Sequence, residues 1–213
     1  MVNRVVLNRH LRYAEQSMSA EVTRAIPEVT RAHDHYGREV KSLRISVTQR
    51  CDLACPHCHK EGQSPSNEEM TPEEIERLVR ISAGVGIRKV KLTGGEPLIR
   101  NDIAEIVSKL SPLMKEVSLT TNGIHLASMA GVLKTSGLDR VNVSLHTLDP
   151  ETYKRLCGRD GSQEVILGIK AAIASRLTPV KVNMVVIKGE NESEIMRMID
   201  FCAEVGAVLQ LIE

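Results

Sequence analysis

Leu43-Arg44-Ile45-Ser46-Val47-Thr48-Gln49-Arg50-Cys51-Asp52-Leu53-Ala54-Cys55-Pro56-His57-Cys58 joins a strand pattern to a cysteine triplet, and the fold can be read outward from it. Leu43, Ile45 and Val47 alternate with polar residues, which is the period of a half-buried strand. Downstream, the start of a helix is marked by Thr71-Pro72-Glu73-Glu74, a cap, a proline at the first helical position and a glutamate three residues after the cap. The same alternation then repeats to the end of the chain. Strands are predicted at Leu43–Val47, Lys89–Leu92, Glu116–Thr120, Arg140–Leu145, Val180–Ile187 and Val208–Ile212. Five helices are predicted between them: one after Thr71, one capped by Asn101, one from about Leu126, one from Ser162 and one capped by Asn191 that buries Ile195, Ile199 and Cys202. Strand, helix, strand at this spacing requires right-handed crossovers and a parallel sheet, either open and doubly wound or curled into a full or partial barrel. Both arrangements put ligands at the carboxyl ends of the strands.

The chain has 213 residues, with 28 Lys and Arg against 27 Asp and Glu, so its net charge is near +1. That balance suits one globular domain with an appendage and argues against a nucleic-acid footprint. Aromatic residues are few (three Tyr, one Phe, no Trp), so base-stacking platforms have little material. Apolar runs such as Met184–Ile187 are far short of a bilayer span, and the amino terminus shows no secretory apolar region. A cytoplasmic protein with no membrane partner is expected. Residues 1–33 fall outside the alternating rhythm and read as an N-terminal extension, helical in spacing, before a core at 34–213.

Five cysteines occur in the chain, three of them spaced C-x3-C-x2-C at Cys51, Cys55 and Cys58. Random placement of five cysteines gives this spacing with a probability of roughly 0.3%. In a reducing compartment such a cluster points to metal rather than disulfides. Three thiolates can hold three irons of a 4Fe-4S cluster and leave the fourth open, whereas His59 could instead complete a Cys3His zinc site. Both readings follow from the spacing. Cys157, placed in a loop before Gly158, and Cys202, on an apolar helix face, read as packing residues.

At the carboxyl end of the second strand comes Thr93-Gly94-Gly95-Glu96-Pro97, on the same rim as the cysteines. Its glycines permit close backbone approach to a ligand, and Glu96 offers an acceptor for an ammonium group. Together with the cysteine triplet, this turn resembles the radical S-adenosylmethionine (SAM) enzymes. The stretches Lys91–Arg100, Leu119–Gly123, Val141–Asp149 and Val180–Asn183 narrow the resemblance to the GTP 3',8-cyclase (molybdenum cofactor biosynthesis protein A) family, over about 180 residues from Asp34.

The resemblance implies an α/β fold, a partial (β/α)6 TIM-like barrel, and a lyase that reductively cleaves SAM at a 4Fe-4S cluster to begin converting GTP to (8S)-3',8-cyclo-7,8-dihydroguanosine 5'-triphosphate. It assigns Cys51, Cys55 and Cys58 to the cluster, and His57, Gly94, Gly95, Glu96 and Ser144 to SAM, with Glu96 meeting the methionine ammonium. Arg44, Lys91, Thr120 and Lys181 fall at positions that contact GTP. It further implies a reductant protein such as flavodoxin or ferredoxin, and is compatible with a homodimer. Two departures stand out: Gln210 replaces an arginine found in many members, and the second three-cysteine cluster of the family has no counterpart within these 213 residues. A chain of this kind is expected to cleave SAM yet turn over GTP poorly by itself.

Overall fold

A computed structural model describes residues 31–58 and 68–213. The expectations for the N-terminal extension up to residue 30, and for His59 as a zinc ligand, lie outside the described residues. Six strands, β1 (Ser42–Thr48), β2 (Lys89–Gly94), β3 (Glu116–Thr121), β4 (Arg140–Ser144), β5 (Lys181–Val185) and β6 (Val208–Ile212), form one sheet in the order β1-β2-β3-β4-β5-β6. Every pairing is parallel. The expected α/β class and strand sequence are therefore borne out, with β1 and β6 as the two edges of a curved, open sheet.

Helices α1 (Pro72–Gly84), α2 (Ile103–Leu110), α3 (Leu126–Thr135), α4 (Pro150–Cys157), α5 (Ser162–Ala174) and α6 (Ile195–Val205) fill the crossovers. The capping box of α1 forms as its sequence requires, Glu74 N–H donating to Thr71 Oγ1 at 3.2 Å and Thr71 N–H to Glu74 Oε2 at 2.9 Å. Three details differ from expectation. Strict one-helix alternation breaks between β4 and β5, where two helices pack in series. Asp149, Pro150 and the left-handed Gly158 delimit the additional helix α4, so Cys157 ends a helix rather than sitting in a loop. Residue 102, not Asn101, precedes α2. Asn191 does not cap α6 through its side chain; a short 3-10 turn intervenes, and Met198 with Cys202 is buried while Ile199 is exposed.

Alternation along the strands sorts the sheet into two chemically distinct faces. Leu43, Ile45 and Val47, then Val90 and Leu92, Val117 and Leu119, Val141 and Val143, and Val182 and Met184, are all buried against the helices. The opposite face is polar. The register aligns Arg44 with Lys91, Lys91 with Ser118 and Ser118 with Arg140 in one row. A second row aligns Thr120 with Asn142 and Asn142 with Lys181. A parallel sheet buried on both sides would be apolar on both. Here the concave side has the composition of a ligand cavity, and the core lies wholly between the sheet and its helices.

Candidate radical SAM site

The loop leaving β1 is fastened before it reaches the cysteines. Arg100, only 4% exposed, donates from its guanidinium to the Val47 carbonyl at 2.6 Å and to the Met70 carbonyl at 3.0 Å, and pairs with Asp102 at 2.6 Å. One buried cation thus ties the start of the cysteine segment to its return at α1. Glu69 reinforces the closure by accepting from Thr48 Oγ1 and from Arg50 Nε at 2.9 Å. These hydrogen bonds also hold the Glu69 carboxyl below its ordinary value, Arg50 being the largest cause.

Gly94 and Gly95 face this loop. Gly95 N–H donates to the Thr48 carbonyl at 2.9 Å, and Glu96 N–H to the Arg50 carbonyl at 2.8 Å. A Cβ on Gly94 would collide with the Thr48 carbonyl oxygen and one on Gly95 with that of Arg50. Gly94 also has a φ of 155°. The close approach expected of this turn is therefore made, in the first instance, to the cysteine loop: the two glycines let β2 press its end against the continuation of β1. Glu96 is fully buried. Its Oε1 accepts from Leu98 N–H at 2.9 Å and Thr121 Oγ1 at 2.7 Å, and its Oε2 from Asn122 N–H at 2.6 Å. Burial pushes this carboxyl above the usual range, against those three hydrogen bonds.

Asp52 anchors the loop from within. Its Oδ1 accepts from Asn122 Nδ2 at 2.7 Å, and its Oδ2 lies 2.9 Å from His125 Nε2, both partners following β3. Ala54 N–H donates to the Cys157 carbonyl at 3.1 Å, bringing the end of α4 to the loop as well. Cys51 and Cys58 are exposed and Cys55 is half-buried. Burial raises the Cys51 thiol, whereas the Cys55 thiol is lowered by a hydrogen bond from Cys157, whose own thiol is pushed up.

His57 meets His146 edge to face, with ring centroids 4.7 Å apart at 88°. His146 follows β4 two residues after Ser144; its Nδ1 accepts Val185 N–H at 3.1 Å. Its carbonyl accepts from Asn191 Nδ2 at 2.8 Å. Burial, with the charge of His57 as a lesser cause, lowers the His146 pKa to about 4.

On the concave face, Arg44, Lys91, Thr120 and Lys181 project to the same side as the register requires, with Arg140 as a fifth polar neighbour that sequence reading passed over. The Lys91 pKa is lowered by burial first and then by Arg44, Arg140 and Lys181, with Glu116 acting the other way, as expected in a cluster of net positive charge. Arg140 is partly offset by Glu116 at 2.8 Å. Asn183, in register between Ser144 and Gln210, has an Oδ1 with no hydrogen-bond partner among the described residues.

A model of the radical SAM superfamily matches residues 45–202. The chain belongs to the radical SAM superfamily. Radical SAM proteins use a 4Fe-4S cluster and SAM, and the donor set here fits: three thiols on one loop at the carboxyl rim of the sheet, on the scaffold of buried anchors just described. Among the described residues no three His, Cys, Asp or Glu side chains gather closely enough to enclose a single ion.

Among relatives of this radical SAM chain, it is 55% identical over 182 residues to a probable GTP 3',8-cyclase of Thermococcus kodakarensis, covering 85% of this chain and 59% of the relative. It is 48% identical over 182 residues to the probable GTP 3',8-cyclase of Methanothermobacter marburgensis, covering 85% and 60%. The chain thus spans less than two thirds of the length of these relatives. Streptococcus suis SuiB, solved bound to S-adenosylmethionine, superposes with a TM-score of 0.70 at 25% identity over 80% of this chain and 40% of SuiB.

The site residues that sequence reading singled out all reach the rim or the concave face. Those it missed act at long range: Asp52, Asn122 and His125, Arg100 with Glu69, His146 against His57, and Cys157 against Cys55. Asn122 had a signal, since Thr121-Asn122-Gly123 ends a strand at the rim. Arg100 and His146 lay inside stretches that carry the resemblance but with no role attached to them, and Cys157 had no signal in its own neighbourhood.

Proposed function

We propose that this chain is the SAM-cleaving and triphosphate-holding part of a GTP 3',8-cyclase of molybdenum cofactor biosynthesis. The observation that carries the reading is the cationic cluster on the concave face, Arg44, Lys91 and Arg140 in one row with Lys181 in the next, beside a three-cysteine loop. When bound, the cluster supplies one electron to SAM and so starts radical chemistry. Cys51, Cys55 and Cys58 would ligate it. His57, held by the His146 ring, together with Gly94, Gly95 and Ser144, would line the SAM side. Glu96 has roughly four lone-pair directions of which three are filled, leaving one on Oε2 for the methionine ammonium.

Three positive side chains and the Thr120 hydroxyl suit a polyphosphate, because charge-assisted hydrogen bonds to phosphate are the strong ones and Lys91 is already partly desolvated. The apolar face of the sheet fixes the spacing of these groups, so the ribose can be held close to the SAM side while water is excluded. The relatives extend well beyond the matched part, and guanine contacts are assigned to that remainder. A cytoplasmic setting and a flavodoxin- or ferredoxin-type electron donor accord with this chemistry, and residues 34–213 would form its core. No helix among the described residues is long and apolar enough to cross a membrane.

Anaerobic reconstitution tests the proposal. Iron should approach about four per chain, SAM should be cleaved with dithionite, and GTP should be converted slowly or not at all by this chain alone. Lys91→Ala should weaken GTP binding roughly tenfold to a hundredfold, with Lys91→Arg retaining most of it. Equal GTP affinity of Lys91→Ala and the unaltered chain would remove the triphosphate assignment, and rapid cyclisation would show that the remainder is dispensable.

A further inference from the structure

Cys157 lies 99 positions or more from the three loop cysteines, yet it is the side chain that Cys55 meets. The backbones run together there. Ala54 N–H donates to the Cys157 carbonyl at 3.1 Å, and a Cβ on Gly158 would come within 3.2 Å of the Ala54 Cβ. Gly158 holds a φ of 83° and ends α4, turning the chain so that Cys157 faces the loop. Cys157 is 2% exposed, Cys55 packs against the core that contains it, and Cys55 is the first cause that pushes the Cys157 thiol up. The Tyr153 hydroxyl, one turn earlier, is buried beside the Cys157 thiol. Cys55 itself is half-buried on a loop whose neighbours Cys51 and Cys58 are exposed.

We propose that, in the cluster-free chain, Cys55 and Cys157 form a reversible disulfide under peroxide, which withdraws one cluster ligand and shields it from irreversible oxidation. The Cys55 sulfur attacks peroxide, takes one oxygen and becomes a sulfenic acid, with one water leaving. The Cys157 sulfur then attacks the Cys55 sulfur; the S–S bond forms, the S–O bond breaks and a second water leaves. Two thiols and one peroxide give one disulfide and two waters, peroxide taking both electrons. A dithiol reverses the step by exchange. Backbone anchoring of Ala54 to Cys157 pre-positions the pair, whereas Cys51 and Cys58 face solvent. The inference rests on the reading of Cys55 as a cluster ligand.

The test uses the full chain, freed of metal and treated with one equivalent of hydrogen peroxide. Free thiols should fall from five to three. Trypsin should then yield peptide 51–60 joined to peptide 156–159, with fragmentation placing the link at Cys55. Anaerobic iron uptake should drop about tenfold and return after dithiothreitol. Cys157→Ser should take up iron normally when untreated and form no such link; when both chains are given excess peroxide, the variant should fail to recover iron uptake after dithiothreitol while the unaltered chain recovers, because a second peroxide carries the variant's Cys55 sulfenic acid to the sulfinic acid. A link internal to peptide 51–60 with Cys157 still free, or no loss of thiols, would overturn the proposal; the peptide map of the unaltered chain decides this even if the variant does not fold. Failure of the untreated chain to take up iron would instead overturn the cluster reading.

Discussion

Acidifying the chain from pH 7 to pH 4 should expose the buried imidazole of His146 as a defined destabilising term. Its pKa in the folded chain is about 4 against an ordinary value of 6.5, with burial the main cause. A base whose folded pKa lies below its unfolded pKa contributes stability above the unfolded value. That contribution is lost as pH falls toward the folded value, because the unfolded chain takes up the proton first. Integrating over the 2.5 units between 6.5 and 4 gives a loss of about 2 kcal/mol at pH 5 and about 3 kcal/mol at pH 4, relative to pH 7. His146→Asn keeps an acceptor at the Nδ1 position for Val185 N–H but cannot titrate.

Urea unfolding of both cluster-free chains under reducing conditions at pH 7, 5 and 4 isolates the effect, since carboxylates and the other histidines cancel in the difference. The stability of the unaltered chain minus that of the variant should fall by about 3 kcal/mol across the range. A difference that stays constant, or an imidazole signal of His146 that titrates near 6.5 by NMR, would refute the argument that His146 is held neutral against His57.

Two further outcomes probe the scaffold. Arg100→Ala leaves the Val47 and Met70 carbonyls and Asp102 without their donor inside the protein, and should cost roughly 3–5 kcal/mol in urea unfolding while lowering iron uptake; a cost under about 1 kcal/mol would show that the clamp is not buried. Gly95→Ala drives a Cβ onto the Arg50 carbonyl and should destabilise the chain by roughly 1–3 kcal/mol. In the same variant SAM should bind more weakly, read by equilibrium dialysis, because the cysteine loop must move away. Unchanged stability would mean that β2 and the loop do not approach as described.

The sequence alone determined what depends on neighbours within a few residues. Strand alternation placed β1 through β6, and Thr71 with Pro72 and Glu74 marked the start of α1, because periodicity and capping are local properties of the backbone. The cysteine spacing and the Gly94-Gly95 turn were legible for the same reason. The helix α4 escaped notice because it is only eight residues long and mostly polar, its buried face resting on Tyr153, Leu156 and Cys157, although Asp149 and Pro150 did announce its start. What only the tertiary structure decided are the meetings between distant strand ends: Arg100 with the carbonyls of Val47 and Met70, His146 with His57, Cys157 with Cys55, and the concave row that joins Arg44 to Lys91 and Arg140. Those partners are set by sheet register and crossover geometry, which bring residues from different strands to one rim without leaving any signal in the sequence around either partner.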